Sequence, residues 1–320
     1  MNDTALIQEI EAKYSNTAGL VIQKSGKLIY EKYFDGYKET DTLHLFSVTK
    51  SITSILIGMA IDQGYIKSVD QKILEFFPDY TMKRGEKTIQ SITLKNILTM
   101  TAPYKYKSEP YTKVYGSEDW TKAGLDLLGG KKPIGDFKYS TVGAQILSGV
   151  LQNAVGKPVL EFASENLFTP LGINTPTPTG FANKDEHMAF FKDKYVSGWV
   201  VDPQGSPTTG WGLTLCPKDM AKIGQLCLNQ GTWNNKQLVS ASWIKESTKE
   251  HARWNEFPYG YLWWNFDSDG SGAFAALGDS GNAIYINPKE QVVISIAARF
   301  KPRAKLVIEL INKCILPIIK

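Results

Sequence analysis

The chain has 320 residues, of which 42% are hydrophobic and 21% charged, an ordinary globular composition with length enough for a large core and two lobes. Thirty-six basic residues against 32 acidic ones leave a net charge of +4, with no Lys/Arg block of the kind that follows phosphates, so nucleic acid is not an expected partner. The longest apolar stretches, such as Ile55–Ile61, are too short for a membrane span.

The N-terminus has no basic start followed by an apolar run, so it does not read as a secretory signal. Cys216, Cys227 and Cys314 are odd in number and widely spaced, which suits free thiols in a reducing compartment. A cytoplasmic location is therefore expected; an exported form whose leader has been removed would read the same. His44, His187 and His251 are not at metal-ligand spacing, and neither a metal nor a cofactor is expected.

Residues 3–14 read as a short helix with Leu6, Ile7 and Ile10 on one face. Two strand-like runs follow, Gly19–Gln23 and Leu28–Phe34, joined by a Ser-Gly turn. From Ser47 the pattern becomes helical, with Ile52, Ile55, Leu56 and Met59 in phase and Gly64 as a stop. The clearer helices of the middle are Thr141–Val155, Leu160–Leu167, Lys218–Leu228 and Ser240–Thr248. Strand character returns at Ala273–Leu277, Ala283–Asn287 and Val292–Ala298, and Lys305–Ile315 reads as a closing helix. The expected fold class is α/β in the α+β sense: an antiparallel sheet built from both chain ends and flanked by helices, plus a mostly helical lobe. The chain then forms one domain over 1–320. Its α/β lobe covers about 1–64 and 255–320, its helical lobe about 65–254, with a cleft at their junction.

Ser47-Val48-Thr49-Lys50 is a Ser-x-x-Lys sequence. Roughly two such matches are expected by chance in a chain of this composition, and the second here is Ser242-Trp243-Ile244-Lys245. Context separates them. Ser47 opens an apolar helix, where free amides and the positive end of the helix dipole favour a developing anion. The spacing of three puts Lys50 on the same face one turn later. Burial there lowers a lysine pKa toward that of a working base. Ser242 lies in a polar segment and reads as a surface helix start.

A serine nucleophile needs its proton relayed to the leaving group. Tyr139, ahead of the helix that opens at Thr141, is the candidate shuttle, its phenolate stabilised by Lys50. Thr141 could bond both Lys50 and the substrate. By spacing alone, a tyrosine there also reads as packing.

The chain resembles the serine β-lactamase and penicillin-binding-protein superfamily, in its class C β-lactamase-like branch of esterases, D-amino-acid peptidases and amide hydrolases. The resemblance runs in order through Phe46–Ser51, Ile92–Thr101, Phe137–Thr141, Phe168–Ile173, Gly212–Leu215, Asp219–Gly224 and Tyr259–Trp264. It implies a β-lactamase/DD-peptidase-like fold and a covalent acyl-serine intermediate. Two departures stand out. Thr141 replaces an asparagine. In the third motif, usually Lys-Thr-Gly or His-x-Gly, the matching residues are Gly278-Asp279-Ser280-Gly281-Asn282, with Asp279 where the cation falls. The resemblance implies that this strand edge lines the substrate site through Asp279, Ser280, Gly281 and Asn282, and the backbone N–H of Asn282 would serve as an oxyanion donor opposite that of Ser47.

Gly278-Asp279-Ser280-Gly281 is also the trypsin-like nucleophile signature, but no histidine has the matching context and the helical middle is wrong for a double barrel. Two aromatic clusters remain, Trp254–Phe266 and Pro103–Tyr115. The first reads more as core than as substrate contact; the second reads as a loop that either edges the cleft or is plain surface. The expected function is hydrolysis of a small-molecule ester or amide, with β-lactam-like and D-amino-acid-containing substrates among the candidates, through acyl-Ser47. The alternative is a penicillin-binding-type sensor that acylates without turnover.

Overall fold

The structure, a computed structural model, describes residues 3–319, so positions 1, 2 and 320 of the expected domain lie outside the described residues. Its centre is an eight-stranded antiparallel sheet. The strands are β1 Thr17–Lys24, β2 Lys27–Tyr33, β3 Ala252–Trp254, β4 Phe257–Tyr259, β5 Trp264–Asn265, β6 Phe274–Gly278, β7 Asn282–Asn287 and β8 Val292–Ala298. They lie in the order β2-β1-β8-β7-β6-β5-β4-β3, so residues from the two ends of the chain pair directly along β1 and β8.

The β1–β2 turn is the expected two-residue one. Ser25 and Gly26 both have positive φ (51° and 73°), the mirror-image geometry that suits the twist of a tight hairpin. The late strands read as continuous apolar runs because both sheet faces are covered. On β7, Ala283 and Tyr285 face one apolar cluster while Ile284 and Ile286 face the other; on β8, Ile294 and Ile296 oppose Val293 and Ala297. The first face is closed by α1, Thr4–Lys13, and by the C-terminal helical run 307–319. That run begins two residues later than expected and continues through a π-turn at Ile311–Ile315.

The second face carries α2, Val48–Asp62, and α4, Pro217–Leu228. Every residue of α2 from Val48 to Ala60 is buried, as a helix apolar all round must be. Helix α3, Thr141–Val155, packs against α2 and has the predicted bounds. Between β2 and β3 the described strands are only two-residue pieces in two-stranded pairs, so the middle of the chain is helical and looped as expected. Strands β3 to β5 were not expected: Trp254–Phe266 supplies a meander that extends the sheet to its far edge.

Candidate active site

Ser47 is half-buried at the N-terminus of α2. The preceding Phe46 has φ +50°, a left-handed conformation that a bulky side chain rarely adopts. It turns the chain sharply from the Leu43–His44 strand into the helix. Leu45 bonds Leu213 through backbone N–H and C=O (2.9 Å), which pins the segment 208–215 beside this turn.

Three contacts hold the Lys50 Nζ: it donates to Ser47 Oγ at 3.0 Å, to Thr141 Oγ1 at 3.1 Å and to the carbonyl of Gly210 at 2.7 Å. Gly210 must be glycine-like here, since a Cβ would come within 2.9 Å of the Thr141 carbonyl. Lys50 is 1% exposed. Burial pulls its pKa down to about 7, against the upward pull of the carboxylates of Glu109 and Asp279.

Tyr139 is half-buried, its ring centroid 4.9 Å from Lys50 Nζ. Burial raises its pKa above the usual phenol value, while the neighbouring Ser47 hydroxyl pulls the other way. At neutral pH Tyr139 is therefore a phenol, and Lys50 is the group of the pair that titrates near 7. Thr141 opens α3, and Ser140 caps it by accepting from the Gly143 N–H at 2.7 Å.

Sequence reasoning missed Glu109. Its Oε1 accepts from Ser140 Oγ (2.9 Å), from the Val142 N–H (2.9 Å) and from Tyr106 OH (3.2 Å), while Oε2 accepts from Tyr111 OH (2.5 Å). An acid at a helix N-terminus satisfies free amides and the helix dipole. It also fastens the Pro103–Tyr115 segment to the helix end that carries Thr141, so that segment edges the site.

The third-motif residues separate. Gly278 ends β6 against the turn before Ser47; a Cβ there would collide with the Leu45 carbonyl. Asp279, Ser280 and Gly281 form a tight turn between β6 and β7, in which Ser280 (φ 68°) and Gly281 (φ 96°) both take positive φ. Asp279 is exposed, makes no ion pair among the described residues, and its charge reaches Lys50 and Tyr139. The other three residues are tied into the fold through their side chains and backbone. The Asn282 N–H lies on the side of the Asp279 carbonyl as the turn closes. The Asn282 side chain bonds the Asp279 and Ala298 carbonyls and the Ala298 N–H. Ser280 Oγ accepts from the Lys301 N–H at 2.9 Å, and the nearest neighbour of a Cβ on Gly281 would be Val307. These groups lock the hairpin to β8 and the C-terminal segment.

The competing signatures lie elsewhere. Ser280 has no histidine partner among the described residues, and Ser242 Oγ bonds only Ser240 on an exposed helix start. His44 is buried among Phe46, Phe190, Phe191 and Trp211, where burial pushes its pKa down to about 3. Its Nε2 accepts from the Gly212 N–H at 2.9 Å. Cys216 and Cys227 are buried free thiols, while Cys314 is half-buried. No described helix is long and apolar enough to cross a membrane.

A mixed fold of this topology, with a Ser-x-x-Lys pair opening a buried helix at the sheet, defines the β-lactamase and penicillin-binding-protein class of hydrolases. The chain belongs to the β-lactamase family, whose profile, described as Beta-lactamase, matches residues 4–310. It is similar to the 6-aminohexanoate-dimer hydrolase of Paenarthrobacter ureafaciens, at 21% identity over 87% of this chain and 71% of that protein. It is also similar to the N-acetylmuramyl-L-alanine amidase of Bacillus subtilis (strain 168), at 24% identity over 93% of this chain and 80% of the other. Among solved structures, the octameric penicillin-binding protein homologue from Pyrococcus abyssi superposes with a TM-score of 0.72 at 20% identity, covering 97% of this chain and 76% of that one.

Proposed function

We propose that the protein hydrolyses an ester or amide through an acyl-Ser47 intermediate. The observation that carries this reading is the 3.0 Å contact between Ser47 Oγ and a buried Lys50 whose pKa is drawn to about 7. Neutral Lys50 takes the Ser47 proton as Oγ bonds the substrate carbonyl carbon. The oxyanion then needs two donors. The Ser47 amide is one. The other is a backbone N–H of the Asp279–Asn282 turn, which Gly278 sets against the backbone just before Ser47. The proton passes through Tyr139 to the leaving oxygen or nitrogen as that bond breaks, and water then hydrolyses the acyl-enzyme. The relatives named as hydrolase and amidase favour turnover over a sensor that acylates and stops. Burst kinetics with a chromogenic ester test this: sustained release after the first equivalent is expected, and release that ends at one equivalent would establish the sensor instead.

Two carboxylates act on this centre. By the resemblance of its motif, Asp279 falls where the family usually carries a cation for a substrate carboxylate. Two like charges about 4 Å apart repel by ~4 kcal/mol at an effective dielectric near 20, and by ~1 kcal/mol in bulk water. Asp279 is exposed, which moves the effect toward the smaller figure. Neutral esters and amides, or substrates bearing an ammonium, are therefore expected to be preferred over penicillins and C-terminal peptides. Asp279→Lys should shift the penicillin-to-ester ratio of kcat/KM upward by roughly tenfold, and Asp279→Asn by less. An unchanged ratio in both variants would remove the argument.

Glu109 raises the Lys50 pKa, so removing its charge should let that pKa fall further. Glu109→Gln keeps much of the hydrogen bonding at the start of α3 and should move the acid limb of kcat/KM to lower pH. Superimposable pH profiles would mean that its charge does not act on Lys50.

A further inference from the structure

The aromatic segment Trp254–Phe266 divides into two classes of ring. Tyr259, Tyr261 and Trp263 are buried in the core. Phe257 and Trp264 are half-buried, and Trp254, on the edge strand β3, is 50% exposed. These last three form a continuous path from the catalytic centre. Trp264 lies nearly parallel to Tyr139, with centroids 6.1 Å apart and planes inclined by 18°. Trp254 meets Trp264 edge-on at 6.1 Å and lies nearly parallel to Phe257 at 6.0 Å. Ring contact thus runs unbroken from Tyr139 to solvent at the edge of the sheet.

A tryptophan half in water at a sheet edge is not explained by packing. Edge strands are more usually protected by charge, and an exposed indole there invites association. The charges beside it are already satisfied. Arg253 is bidentate to Glu250 (2.6 and 2.8 Å) and also donates to the Glu256 carbonyl at 3.1 Å. The outer end of the path thus offers aromatic surface beside an arginine already engaged, and at its inner end the charges of Glu109 and Asp279 act on Tyr139 and Lys50. An apolar, uncharged occupant suits the outer rings.

We infer that Tyr139, Trp264 and Trp254 form a subsite for the apolar leaving-group arm of an elongated substrate. The assignment to the leaving-group side follows from Tyr139, which delivers a proton to that group and on which Trp264 stacks. The inference rests on the proposed Ser47 mechanism.

Acetate esters of alcohols of increasing length, from ethyl to octyl, provide the test, because every member forms the same acetyl-enzyme. Differences in kcat/KM then report only on the leaving arm. The native protein should gain in kcat/KM from ethyl to octyl. Trp254→Ala removes a half-exposed ring and leaves Trp264 held by Tyr259 and Phe257; it should lose about fivefold or more on octyl acetate, and less than twofold on ethyl acetate. Trp254→Phe, which keeps a ring face, should recover most of the loss. A native profile flat with chain length, or an equal loss on short and long esters in Trp254→Ala, would overturn the subsite while leaving the mechanism standing. Failure to turn over any ester, with Ser47 unlabelled by an active-site probe, would instead remove the mechanism on which the subsite depends.

Discussion

Ser47→Ala should abolish turnover, by at least about four orders of magnitude, while leaving the protein folded. The rate loss follows from covalent catalysis. Without Oγ no acyl-enzyme forms, and the remaining oxyanion donors supply only the residual acceleration that nucleophile-deleted hydrolases retain. The stability expectation follows from the local geometry. A serine at a helix N-cap normally contributes about 1 kcal/mol by bonding an early amide. Ser47 makes no such cap bond; its hydroxyl accepts from Lys50 instead. The backbone bonds that shape the turn, from Val48 to Leu45, Thr49 to Phe46 and Lys50 to Ser47, do not involve the side chain. A thermal melt within a few degrees of the native protein should therefore accompany the loss of activity. A Ser47→Ala variant that still turns over an ester would end the Ser47 assignment, whatever its stability.

Lys50→Met should also silence the enzyme, by about three orders of magnitude or more, and it should change stability in a pH-dependent way. Lysine is the base only when neutral, so native activity should rise with pH through about 7 and then level off. Lys50→Arg should not rescue it, since a guanidinium stays protonated. The stability sign follows from the depressed pKa. In the unfolded chain the lysine keeps its proton up to about pH 10. In the folded protein it holds that proton only below about 7. The unfolded state thus binds more protons between these values, and native stability rises with pH across the interval. Below pH 7 the folded protein carries a buried charge at a cost of a few kcal/mol. Lys50→Met removes that cost. Its stability relative to native should be greatest near pH 6 and decline toward pH 9, as measured by denaturant unfolding at both values. A constant difference would mean that Lys50 is not depressed in the folded state. Tyr139→Phe should be severe but less so, within the roughly 10²–10⁴-fold that a positioned proton donor is usually worth.

What the sequence made legible was mostly local. The amphipathic and apolar periods located α2, α3 and the last strands within a residue or two, and the hairpin at Ser25-Gly26 followed from turn chemistry. The Ser47–Lys50 pair was visible because one helical turn fixes its spacing. Tyr139 was reachable as a helix-start residue, weighed against packing, and through the resemblance carried by Phe137–Thr141. The strands in 252–265 were missed because Pro258, Gly260 and dense aromatics obscure a period of two, and because their pairing is decided by β6 rather than by their own pattern. Glu109 was missed because its partners, Ser140 and Val142, lie more than thirty residues away, a contact that no spacing reveals. The third motif was legible only through resemblance: its tight turn at Asp279–Gly281 and the anchoring of the Asn282 side chain to Ala298 depend on contacts that spacing does not reveal.

Labelling with a fluorophosphonate probe, followed by peptide mapping of the adduct, bears most directly on the central claim. The expected result is a single modified serine, Ser47, whose labelling rate rises with pH through about 7 as Lys50 loses its proton. Modification at Ser280 or Ser242 with Ser47 untouched, or no modification of the folded protein, would contradict it.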